Sequence, residues 1–114
     1  MSKASVNKVI LVGSLGHDPE VSITDSGLKV STISIATNDG TKDKVTGKWI
    51  ESTEWHRVVL WDKLADVAGQ YLKKGSLVYI EGRIQTQKWK KEGIDMYSTQ
   101  IVANTLQMLG GKNS

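Results

Sequence analysis

Cysteine is absent from the 114 residues. There is therefore no disulfide and no thiolate nucleophile, and the only histidines, His17 and His56, have no cysteine to complete a zinc site. Long hydrophobic runs are missing too. Val9 to Val12 is too short for the core of a signal peptide, and no stretch approaches the ~20 apolar residues of a membrane helix. The expectation is a soluble intracellular chain with no membrane partner. Carboxylates are scattered: Asp18 and Glu20 flank Pro19 in a turn, where exposure is the default. Gly13-Ser14-Leu15-Gly16 lacks the Gly-Lys-Ser/Thr ending of a phosphate-cradling loop. Ser52 and Thr53 have His56 nearby, yet on a strand Thr53 and His56 point to opposite faces. Neither an enzyme nor a bound metal or cofactor is expected. The surplus of one charge is small, with a net charge of +3. It permits a polyanionic partner without requiring one, so placement of charge matters more than its sum.

What the chain does have is tryptophan in one place. Three of its four tryptophans lie between Trp49 and Trp61. Trp49, Trp55 and Trp61 all have odd numbers, and strand side chains alternate faces. On one unbroken strand the three share a face, with Arg57 between the last two. The even positions His56, Val58 and Leu60 can supply the covered face. Glu51, Thr53 and Arg57 are too polar for a core, so the tryptophan face is expected to be wet. A wet row of flat rings with a fixed cation suits stacking on unpaired bases, each of which offers a π surface. Trp49 adjoins a loop, where register is open.

The rest of the chain is long enough for one domain around one core. Val6 to Gly13 reads as a first strand, with Val9 to Val12 apolar throughout and expected to be covered on both faces, by the core on one and a candidate second subunit on the other. Gly13 and Gly16 bracket a bend, Asp18-Pro19 a turn, and Glu20 to Ile23 resumes the strand. Val30 to Thr37 is a second strand and Asn38 to Lys48 a polar loop. The tryptophan run is the third strand. Leu64, Val67, Ala68, Tyr71 and Leu72 form the apolar stripe of a helix, with Asp62 as N-cap and Lys73, Lys74 and Gly75 at its end. Leu77 to Lys90 is a fourth strand, with Val78, Ile80 and Ile84 on one face and Tyr79, Arg83 and Trp89 on the other. A fifth runs from about Met96 to Met108. The order β-β-β-α-β-β, all-β apart from one helix between strands three and four, is that of a five-stranded Greek-key OB-fold barrel with a long hairpin joining the last two strands. That fold binds on the face of strands two and three, where the tryptophans are. The domain is expected over residues 1–109, with 110–114 a short flexible tail.

Two further groups belong with the rings. Trp89 lies in Gln87-Lys88-Trp89-Lys90-Lys91, where lysines could hold phosphates and the ring a base. Lys42, Lys44 and Lys48 in the polar loop take their interest from the neighbouring aromatics.

Several blocks of the sequence, in order, resemble the bacterial-type single-stranded DNA-binding proteins: Asn7 to Gly13, Gly16 to Glu20, Thr53 to Trp61, Lys74 to Gly82 and Leu106 to Gly110. The likeness runs from about Val6 to Gly111. It implies an OB-fold that assembles as a homotetramer, a dimer of dimers, and protects single-stranded DNA in replication, recombination and repair, in the cytoplasm with the nucleoid. It implies stacking by Trp55, Trp61 and Trp89, and phosphate contacts by Lys44, Arg57, Lys63, Lys74 and Lys88. The alternative within binding modules is a primosome-type or RNA-handling OB-fold protein. Subunit contacts are expected at Val9 to Val12 and Leu77 to Ile80, with His56 on that side.

There are departures. Relatives often carry a stacking tryptophan near position 41, where this chain has Thr41, and Trp49 is a candidate to replace it. Positions 85 and 87 are commonly basic in relatives and are Gln85 and Gln87 here. The family usually ends in an acidic tip that docks replication and repair proteins. No acidic residue follows Asp95, so tip-mediated recruitment is expected to be absent; whether the chain is cut short or naturally short stays open.

Overall fold

The core is drawn from alternate positions. Ser31, Ile33 and Ile35 are buried, as are Val58 and Leu60, and Val78 and Ile80, the period-two signature of strands with one dry face. In the computed structural model, which describes residues 4–109, these residues lie on β3 (Lys29–Lys42), β4 (Trp49–Trp61) and β5 (Leu77–Lys91). The other elements are β1 (Val9–Leu15), β2 (Glu20–Ile23), α1 (Lys63–Tyr71) and β6 (Ile94–Leu109). The tail expected at 110–114 lies outside the described residues.

The sheet order is β1-β5-β6-β4-β3-β2, and β1 also pairs with β3 at Ser14↔Ala36 and Leu15↔Ile35, which closes the barrel. All pairings are antiparallel except β4 with β6. This is the OB-fold barrel that the element order implies. Glu20–Ile23 does not extend β1. It is a short separate strand on the edge of β3, so the helix falls between β4 and β5 in chain order.

The helix buries Ala65, Ala68 and Leu72 in the barrel core. Tyr71, expected in its stripe, is 61% exposed. The small Ala65 lets the axis approach the sheet and shifts the buried arc away from Tyr71. Asp62 stands at the N-cap position, but its side chain makes no capping bond. At φ 57 and ψ −116 it is outside the extended conformation that turns a side chain onto the first turn. Its amide donates to the Lys29 carbonyl instead. The last helical turn holds no basic residue, since the helix stops at Tyr71, before Lys73 and Lys74.

Both hairpins run longer than the sequence suggests. Of the expected loop at 38–48, Asn38 to Lys42 continues β3 in register with β4, down to Lys42↔Trp49. Asp43 closes the remaining turn. Its carboxylate accepts from the Val45 amide at 2.8 Å, and its carbonyl accepts from Gly47 at 2.8 Å. The amides of Val45 and Thr46 hold the Asp43 carboxyl below the usual carboxylate range. β5 and β6 are joined by Glu92 and Gly93 alone, with φ of 52° and 79°, the two positive values of a type I′ turn that suits twisted strands.

Within the single chain, β1 has one face on the core and the other open. Val9 and Leu11 pack against the core, whereas Ile10 and Val12 are 55% and 50% exposed. Alternation operates here as elsewhere, and an unbroken apolar run leaves one aliphatic row outside.

Candidate nucleic-acid interface

β4 is one uninterrupted strand paired with β3 from Val30↔Trp61 to Lys42↔Trp49, so Trp49, Trp55 and Trp61 share the outer face of the sheet. They are 64%, 58% and 38% exposed. At ~3.3 Å per residue the rings stand roughly 20 Å apart along the strand. They are separate stations on a path, with room for several nucleotides between successive rings. Parity fails once on this face: Val59 is buried beside Val102 on β6 and gives the path an apolar floor.

Four of the β3 residues that share this face are small: Thr32, Ser34, Ala36 and Gly40 stand opposite Val59, Arg57, Trp55 and Glu51. Short side chains leave the rings and Arg57 standing above the sheet. Two glycines serve as seats. A Cβ on Gly16 would strike the six-membered ring of Trp55, and one on Gly40 would strike the ring of Trp49. Only glycine allows either indole to lie so close to the backbone.

Arg57 makes no ion pair among the described residues. It lines a cleft of about 240 Å³ with His17, Glu20, Thr32, Ile33 and Ser34. A guanidinium over two hydroxyls has donors ready for a phosphate. Its neighbour His56 points the other way, half-buried, with a ring nitrogen 2.9 Å from the Thr37 hydroxyl.

Trp89 belongs to the same face by register. Val59 pairs with Val102, Val102 with Arg83, and Trp89 shares the parity of Arg83 along β5. The ring is 44% exposed and stands opposite Met96. Lys88 and Lys90 have the opposite parity. Lys88 faces Tyr97, with its ammonium 3.7 Å from Asp95 and 5.8 Å from the Tyr97 ring centre. The three lysines around Trp89 are therefore split between two faces of the arm.

The remaining cations are dispersed. Lys44 and Lys48 lie in the turn beyond Trp49, and Lys63 opens α1 two residues after Trp61. Lys74 is fastened near the seat of Trp55, its amide donating to Asp18 at 2.9 Å while Gly75 donates to Leu15. The seats Gly16 and Gly40 and the small residues of β3 escape the sequence reading. The alternation of small residues from Thr32 to Gly40 was a usable signal, hidden because β3 was ended at Thr37.

Among the described residues no group of three or more His, Asp or Glu could hold a metal, and no helix is long and apolar enough to cross a membrane.

Comparison with known proteins agrees with this geometry. A family model described as "Single-strand binding protein family" matches residues 6–109. The chain is similar to a Plasmodium falciparum SSB solved in complex with ssDNA, at 35% identity and a TM-score of 0.83, over 96% of this chain and 100% of that one. It is also similar to the wild-type single-stranded DNA binding protein of Thermus aquaticus, at 32% identity and a TM-score of 0.79. That match covers 94% of this chain but 52% of the Thermus chain, about half its length.

Proposed function

The chain belongs to the single-strand binding protein family, and on that premise we propose that it binds and protects single-stranded DNA, with tolerance of sequence, in replication, recombination and repair. The observation that carries this reading is the line of exposed Trp49, Trp55 and Trp61 on one face of β4, with Arg57 among them, which forms no ion pair among the described residues. Rings at intervals take bases of any identity, because every base has a π face. Arg57 and the lysines Lys44, Lys48, Lys63 and Lys74 neutralise the phosphates that pass between stations. Trp89 extends the path onto the β5–β6 arm, and Lys88 serves the far side of that arm once a phosphate displaces Asp95.

The working unit is a homotetramer, a dimer of dimers. The outer face of β1 and β5 supports this: Ile10, Val12 and Leu77 are exposed side by side there, an apolar row of the kind that subunit contacts cover. Wrapping around several copies joins short paths into a long site. No chemical step is involved, and the protein acts by occupancy, among the replication and repair proteins of a nucleoid.

Titration with oligo-dT tests the reading. Tryptophan fluorescence is quenched strongly at low salt, and the binding constant falls with salt at a log–log slope of about −0.7 per neutralised phosphate. Duplex DNA and matched RNA bind more weakly. Absence of quenching, or equal affinity for duplex, rejects the proposal.

A further inference from the structure

Trp49 differs from the other rings in its surroundings. It lies on Gly40 so closely that its indole Nε1 is 2.7 Å from where a Cβ would be. It walls a cleft of about 370 Å³ with Asn38, Asp39, Gly40 and Glu51. Glu51 faces Gly40 across the strands and forms no ion pair among the described residues. Asp39 spends one oxygen on the Gly40 amide at 2.8 Å and keeps the other. Asn38 accepts from the Thr53 hydroxyl at 3.0 Å through its oxygen, which leaves its amide nitrogen free to donate.

A flat ring beside the Glu51 carboxylate is a poor place for a phosphate and a good one for the polar edge of a base; Asp39 pairs with Ser52 and belongs to the other face. Like charge turns the backbone outward, toward Lys42, which stands opposite Trp49. A carboxylate accepts a hydrogen from an exocyclic amino group, which cytosine, adenine and guanine all carry. Thymine offers only its N3–H, flanked by two carbonyl oxygens that a carboxylate repels. We propose that Trp49, Glu51 and Asn38 form a base subsite that favours an exocyclic amino group and discriminates against thymine. This rests on the single-stranded DNA reading and adds a selective station to an otherwise tolerant path.

The test compares affinities for oligo-dC and oligo-dT of equal length at one salt concentration, in the wild type and in Glu51→Gln, Gly40→Ala and Trp49→Ala. Removing the Glu51 charge helps both polyanions equally and cancels in the ratio. In Glu51→Gln the charge-assisted bond from cytosine weakens to a neutral one, and the new amide can donate to a thymine carbonyl, so the dC:dT affinity ratio falls about tenfold. It falls similarly in Gly40→Ala, whose methyl displaces the ring. Trp49→Ala serves the same purpose without touching the backbone. An unchanged ratio in all three variants, with Trp55→Ala still weakening both oligonucleotides, overturns the subsite and leaves the general reading intact. A wild type that binds neither oligonucleotide overturns both.

Discussion

Two regions of the same sheet expose apolar surface, and they do so differently. The β3–β4 face exposes indoles spaced by small polar residues, beside Arg57, which forms no ion pair among the described residues. The β1–β5 face exposes aliphatic side chains beside charges already satisfied. There the Tyr79 hydroxyl donates to Glu81, and Lys8 lies 3.3 Å from the same carboxylate. Flat rings and a free cation match a chain of bases and phosphates. Branched aliphatics and closed ion pairs match another protein surface, where an uncompensated charge would be costly to bury. Exposed hydrophobicity alone does not distinguish a nucleic-acid partner from a protein one; the state of the neighbouring charges does.

The strongest way to break this comparison is on the aliphatic face. Val12→Glu places a charge where a second subunit would cover it, and an unpaired buried charge costs about 3 kcal/mol or more. Light scattering should show the proposed tetramer of the wild type replaced by smaller species that remain folded; an unchanged assembly would remove this face from the subunit contact. On the ring face, Trp55→Ala should cost roughly 1–3 kcal/mol of single-stranded DNA binding with the oligomer unchanged, as titration and light scattering together would show. Trp61→Ala should cost less, since that ring is the less exposed of the two. Arg57→Gln is subtler. It should flatten the salt dependence by about 0.7 in log–log slope, alike for every sequence, and an unaltered slope would show that Arg57 touches no phosphate.

The smallest effect concerns pH. The Tyr79 hydroxyl and then Lys8 hold the Glu81 carboxyl below its ordinary value. Donating that bond to Glu81 raises the Tyr79 phenol, and the two shifts agree. A carboxyl lowered on folding stabilises the fold above the ordinary carboxylate range, and that contribution is lost as pH falls through the lowered value. Glu81→Gln should therefore lower the Tm slightly at neutral pH, with the difference closing as pH falls through the lowered value of the carboxyl. A difference that persists in acid would assign the loss to packing.

Much of the site was readable because it depends on one strand. The parity of Trp49, Trp55 and Trp61 follows from chain geometry, and the polarity of Glu51, Thr53 and Arg57 identifies their face as wet. What escaped depends on the residue lying across. The seats at Gly16 and Gly40, the engagement of Lys88 by Asp95 and the exposure of Tyr71 are each set by a neighbour distant in sequence. The polar stretch from Asn38 to Lys42 read as a loop because its hydrogen bonds come from β4 and not from its own composition.

The sequence by itself determined the order of elements, the face of the rings and the aliphatic row on β1, since all three rest on local periodicity. Only the tertiary structure decided how those rings are held. Backbone must approach an indole from another strand before a glycine becomes a seat, and Asn38 must be brought across the ladder from β3 before it can stand beside Trp49 and Glu51. Such contacts exist only once the barrel closes.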